Sequence, residues 1–204
     1  MLRSGLYDAT RARSGKAMKF FLFPRKRRHR NIAALYGTIV AQARHPSFYA
    51  TYAVPDTVNG RFEMIVLHLA LFLDRIGAEP APVRAIGQGV FDLFCSDMDD
   101  HLREMGVGDL AVPRKMQRVA EAFYGRHAAY CAAIAADDMQ ALEGALARNV
   151  FSGNGNGARR LAAYMREAAS RLAAQDAAEV ITTRLAWPHP NAISGLEGAE
   201  GQLR

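Results

Sequence analysis

At 204 residues, half of them apolar, the chain can bury one sizeable core, and its length favours a single domain. Its two cysteines, Cys95 and Cys131, sit in different predicted helices with neither CxxC nor Cys/His spacing; this argues against a disulfide framework and a structural zinc site, and both are read as core thiols in a reducing compartment. The net charge of +6 is uneven: residues 1–30 hold ten Lys/Arg against one acid, Asp8, so they carry +9 and the remainder −3, which makes the body a poor nucleic-acid-binding domain.

Residues 1–17 are Arg-rich without apolar periodicity and are expected to be disordered. Met18 opens MKFFLFPRKRRHR, which reads as an alternative start. Its apolar patch is too short for a signal-peptide core and ends at Pro24, so no secretory signal is expected. Phe20, Phe21 and Phe23 beside Arg25, Lys26, Arg27 and Arg28 suit an anionic membrane surface. There the rings enter the headgroup region and each basic residue adds about 1 kcal/mol. Contact with ribosome or RNA, and a solvated tail without specific role, are the alternatives. The whole basic segment through residue 30 is expected to be largely disordered, followed by a helical domain over 31–187.

Within that domain, Ile32, Leu35, Tyr36, Ile39 and Val40 mark one face of a helix that His45-Pro46 ends. Residues 47–53 (SFYATYA) alternate weakly and suggest an extended aromatic segment. The dominant stretch is Val54 to Ile76, where only Glu63 and His68 interrupt an apolar run from Phe62 to Leu73. A helix apolar nearly all round is a buried one. Asp56 is its expected N-cap and Gly77 its C-cap. Pro82 suits the first turn of an amphipathic helix running to about Met105, on which Asp97 and His101 stand four apart. Gly106 suits a left-handed cap, Asp109 an N-cap, and Pro113 opens a long helix to about Ala136. Asp137 with Gln140 reads as a capping box for a helix reaching Val150. The SGNGNG run at 152–157 marks a loop or hinge. Leu161, Met165, Ala168 and Leu172 define another helix, and Val180 to Trp187 a short successor; the tail from Pro188 is expected to be disordered. The sum is an all-α bundle of about six to eight helices.

The residues offer little catalytic chemistry. No HExxH, Glu-x-x-His, phosphate loop or nucleophile elbow is present in the sequence, and no cofactor or metal site is assigned. His68 is read as a core histidine bonded to a neighbour, with a haem-handling or enzymatic role as the alternative. Asp97, Asp99, Asp100 and Glu104 spread around an outer face, as a solvated surface or a docking patch for a basic partner. Arg61 and Glu63 flank Phe62 where an ion pair or a partner contact is expected. Both charge signs also gather with two glycines where the helix before Gly106 meets the one after it.

At these residues the chain resembles the ubiquinol–cytochrome c chaperone family, assembly factors of the respiratory cytochrome bc complex. The resemblance rests on Val54-Pro55-Asp56-Thr57, Gly60-Arg61-Phe62-Glu63 and Val66-Leu67-His68-Leu69. It continues through Leu102-Arg103-Glu104, Gly106-Val107-Gly108-Asp109, Arg114-Lys115-Met116 and Phe123-Tyr124-Gly125-Arg126, over roughly residues 36–150. It implies a non-enzymatic chaperone that stabilises newly made cytochrome b near the ribosomal exit. The mitochondrial members work with a small partner subunit. A bacterial member is expected, peripheral at the cytoplasmic face of the inner membrane, or on the matrix side if eukaryotic. Asp56, Arg61, Phe62, Glu63, Arg103, Glu104, Gly106, Gly108, Asp109, Lys115, Tyr124 and Arg126 are the residues expected to shape or line the partner surface.

Overall fold

The computed structural model describes residues 25–193 except 154 and 156, with side chains from residue 28 onward. The all-α bundle expected from the sequence forms. Its elements are α1 (Arg25–Ala43), α2 (Pro46–Ala50), α3 (Val58–Gly77), α4 (Ala81–Glu104), α5 (Val112–Ala135), α6 (Met139–Asn149), α7 (Ala158–Ala174) and α8 (Ala177–Val180), followed by a 3-10 turn at Pro190–Ala192. Among the described residues no helix is long and apolar enough to cross a membrane.

α3 is the axis, packed by α1, α4, α5 and α7. Its residues from Glu63 through Phe72 are all buried, the two polar ones included, which is how a helix with no solvent face must sit. α3 and α4 approach so closely that a Cβ on Gly87 would lie 2.2 Å from Ile76 Cδ1. The buried face of α7 is Leu161, Met165, Ala168 and Leu172, the stripe read from the sequence. Residues 152–157 therefore connect two helices of one core, and α7 packs directly on α6 and α3.

Several local expectations are corrected. α1 starts at Arg25, so the basic residues 25–30 are helical where disorder was expected. Residues 46–50 are a short helix, not an extended segment; His45 caps it, its Nδ1 accepting from Ser47 N–H. Thr57, not Asp56, caps α3: its Oγ1 accepts from Gly60 N–H at 3.1 Å, while Asp56 turns away to Arg61. Gly77 is the last residue of α3 and the C-cap is Ala78, in ordinary right-handed geometry. The α6 cap is Asp138, which accepts from Ala141 N–H, whereas Asp137 takes a left-handed φ of 52°. Asp97 accepts from the Tyr36 hydroxyl at 2.7 Å instead of meeting His101, whose neighbour is Glu104. The two cysteines are half-buried.

The largest departure is at the C-terminal end. α8 stops at Val180, short of the expected Trp187. Residues 188–193, expected to be disordered, are packed: Tyr52 donates to the Pro190 carbonyl at 2.6 Å and Gln42 to the Pro188 carbonyl at 3.1 Å. The His45 and His189 rings meet edge to face at 4.9 Å, and Pro190 is buried. Gly/Pro composition predicts loop conformation, which is present; order comes from partners on α1 and α2. The expected membrane residues Phe20, Phe21 and Phe23, and the side chains of Arg25, Lys26 and Arg27, lie outside the described residues; the exposed Arg28 donates to the Ala85 carbonyl of α4 at 3.1 Å.

Candidate functional site

The charged residues singled out in the sequence separate into two classes. Glu63 is 1% exposed and faces Arg126 of α5, whose two nitrogens reach its two oxygens at 2.6 Å each. Burial pushes the Glu63 carboxyl above its usual range, and the guanidinium pulls it back down. Arg126 is 19% exposed and also donates to Ala122 O. Glu63 is thus corrected from a partner-facing residue to an internal one, and Arg126 is mainly its counter-ion. An unpaired buried carboxylate is the alternative, and a costly one. Asp56 and Arg61 remain on the surface as an ion pair at 2.7 Å, with Arg61 over the Tyr49 ring. Phe62 is half-buried against Phe94. Gly60 is explained by space: a Cβ there would stand 1.9 Å from the Pro55 carbonyl oxygen.

The α4–α5 connection is fixed by its backbone. Gly106 takes φ +79°; its N–H bonds to Arg103 O, and Val107 N–H to Leu102 O, the double bond pattern that ends a helix at a left-handed glycine. Arg103 lies across this turn, bonding Asp99 at 2.7 Å and also Asp109. Asp109 is therefore not the α5 cap; that position is Ala111, without a side-chain bond. Glu104, Gly108 and Lys115 are exposed around it. Exposed pairs contribute little stability, so this end presents a charged surface without being held together by it. Leu110, 99% exposed, and Met105 stand out beside the charges. Neither was singled out from the sequence.

Between α3, α4 and α5 runs a groove of about 200 Å3 lined by Leu73, Ile76, Gly87, Phe91, Phe123 and Tyr124, with Arg84, Gln88 and His127 adding polar atoms. Its aromatic wall is continuous: Phe91 lies 4.9 Å from Phe123 and 5.7 Å from Tyr124 between ring centroids. Tyr124 is 59% exposed and forms the rim. Phe123 is fully buried, whereas Phe91 is only partly so. The groove needs three helices in register, and the one local signal was the spacing of Gly87, Phe91 and Phe94 on one face of α4.

His68 resolves as a core residue. It is fully buried, its Nδ1 donates to Met64 O at 2.7 Å, and its Nε2 accepts from the Tyr164 hydroxyl at 2.8 Å, which in turn accepts from Gln42. Burial lowers its pKa to about 4, which keeps the imidazole neutral. Both ring nitrogens are committed, so neither is offered to a haem iron.

The match to known proteins covers this whole arrangement. The model of the Ubiquinol-cytochrome C chaperone family matches residues 50–187. The chain belongs to that family. The match extends through α7 and α8, past residue 150 where the resemblance read from the sequence ends. This chaperone is 26% identical over 157 residues to a ubiquinol-cytochrome-c reductase complex assembly factor 1 from Xenopus laevis, covering 74% of this chain and 78% of that protein. It also superposes on the crystal structure of a Cbp3 homolog from Brucella abortus with a TM-score of 0.78 at 36% identity, covering 87% of this chain and 99% of that one. The family is one of assembly chaperones, not of enzymes.

Proposed function

We propose that this chaperone holds newly made cytochrome b for assembly into ubiquinol–cytochrome c reductase, and does so at the cytoplasmic face of the inner membrane. The observation that carries the reading is the α3–α4–α5 groove. It is an apolar, aromatic-lined channel with an exposed tyrosine rim and a few polar groups in its lining, on a chain of this family. Such a groove accepts the apolar face of a client helix without covalent chemistry, and releases it when subunit contacts bury that face better. At the α4–α5 turn, away from the groove, Leu110 and Met105 with Arg103, Glu104, Asp109 and Lys115 offer a second contact patch of apolar and charged groups together. Membrane attachment is assigned to Phe20, Phe21, Phe23 and the neighbouring basic residues.

Crosslinking in membranes followed by purification of the chaperone tests this. Cytochrome b is expected among the captured proteins, and its recovery is expected to fall with Tyr124→Asp or Leu110→Asp while helicity is unchanged. Equal recovery from both variants would overturn the assignment of the surface. Absence of cytochrome b from the wild-type capture would overturn the client. For the membrane step, removing residues 1–24 is expected to abolish co-sedimentation with phosphatidylglycerol-containing vesicles.

A further inference from the structure

α5 carries His127 and Cys131 one helical turn apart, so both side chains leave the same face. Asp74 of α3 meets them there: one ligating atom of each residue lies within 4.8 Å of those of the other two. Donors around a tetrahedral metal at bond lengths of about 2.0–2.3 Å stand roughly 3–4 Å from one another. Small side-chain rotations therefore bring the three into ligating range, with no movement of either helix.

Two features single this triad out from a chance cluster. His127 Nε2 is buried and has no hydrogen-bond partner among the described residues, although buried polar atoms are nearly always paired. In addition, the half-buried Cys131 thiol is turned onto the Asp74 carboxylate.

We infer that Asp74, His127 and Cys131 form a binding site for a divalent transition ion of the Zn2+ class. Imidazole, thiolate and carboxylate together suit Zn2+ and Co2+, whereas Mg2+ and Ca2+ prefer all-oxygen surroundings. On binding, a metal–sulfur bond forms as the S–H bond breaks and the proton passes to solvent, and Asp74 changes from thiol acceptor to ligand. The ion ties α5 to α3 and leaves one coordination position free of protein donors. His127 also lines the groove, so the metal and any occupant of the groove meet at one side chain.

Co2+ titration of the full chain, made metal-free with a chelator, tests the inference. One equivalent is expected to bind and to produce a thiolate-to-cobalt charge-transfer band together with intense tetrahedral d–d bands, which Zn2+ then displaces. Cys131→Ser is expected to abolish the charge-transfer band. Asp74→Ala, at an exposed carboxylate, and His127→Ala are each expected to weaken binding by at least about tenfold. Cys95→Ser is expected to bind like the wild type, and Zn2+ to raise the melting temperature of the wild type but not of Cys131→Ser. Absence of a charge-transfer band in the wild type would overturn the site. So would a band that survives in Cys131→Ser or disappears in Cys95→Ser, or unchanged affinity in Asp74→Ala.

Discussion

Arg126→Ala removes the partner of a carboxylate that has almost no access to water, and the consequence can be worked out. Glu63 is 1% exposed and takes both of its charge-assisted bonds from Arg126. Breaking such a pair from one side costs about 3–5 kcal/mol, because the surviving charge stays buried. That is a large share of the roughly 5–15 kcal/mol that a domain has in total. Urea unfolding followed by circular dichroism at pH 7.5 is expected to show a loss of this size. Adding Glu63→Gln to Arg126→Ala is expected to restore part of it, since the double variant buries no charge. The pH dependence has a definite sign. Glu63 already has a folded-state pKa raised above its ordinary 4.5. Between those two values the folded state binds more protons, so the Glu63 contribution falls as pH rises through the window and is constant above it. Losing Arg126 lifts the folded pKa further. The deficit of the single variant should therefore shrink on acidification, and that of the double variant should not. A single variant within about 1 kcal/mol of wild type, or a double variant less stable than the single, would refute the reasoning.

Other substitutions probe different parts of the fold. The folded pKa of His68 lies at about 4 against an ordinary 6.5. The neutral form is therefore favoured by folding, a contribution complete above pH 6.5 and lost as pH falls through about 4, worth about 3–4 kcal/mol at roughly 1.4 kcal/mol per unit. His68→Gln is expected to flatten that acid limb in melting curves taken from pH 7 to 4; an unchanged difference between wild type and variant across that range would count against it. Gly60→Ala places a Cβ against the Pro55 carbonyl and is expected to cost about 2–3 kcal/mol in chemical unfolding, in contrast to the usual gain from replacing a helical glycine. Tyr124→Asp and Leu110→Asp, both at exposed positions, are expected to leave stability within about 0.5 kcal/mol while lowering cytochrome b accumulation in cells.

What could be read from the chain alone depended on how local the cause was. Pro82 and Pro113 in the first turns of α4 and α5, the left-handed Gly106 and the buried stripe of α7 each follow from a few neighbouring residues, and each is found in the structure. Where two good capping residues adjoin, as with Asp56-Thr57 and Asp137-Asp138, sequence alone does not choose between them. At the first pair the choice follows from Arg61, which takes Asp56 as its partner. Glu63 looked partner-facing because a carboxylate beside an apolar run ordinarily seeks the surface, and its counter-ion is 63 residues away. The groove needs three helices in register. No Cys/His spacing is read from the sequence although His127 and Cys131 stand four residues apart, because their third partner, Asp74, arrives only through the packing of α3 on α5.

The segment after α8 has a bearing on how the chaperone itself is made. Bonds from Asn31, Gln42 and Tyr52 to the carbonyls of Ile181, Pro188 and Pro190 span 150, 146 and 138 residues. None of them can form until nearly the whole chain has left the ribosome. Contacts so distant in sequence are slow to close, because the intervening chain must be ordered first. Completion of the α1–α2 side of the bundle is thus a late step of folding. A ribosome-bound chain halted before residue 188 should be selectively open to protease at α1 and α2, where the Tyr52 hydroxyl and the Gln42 amide are still waiting for those acceptors.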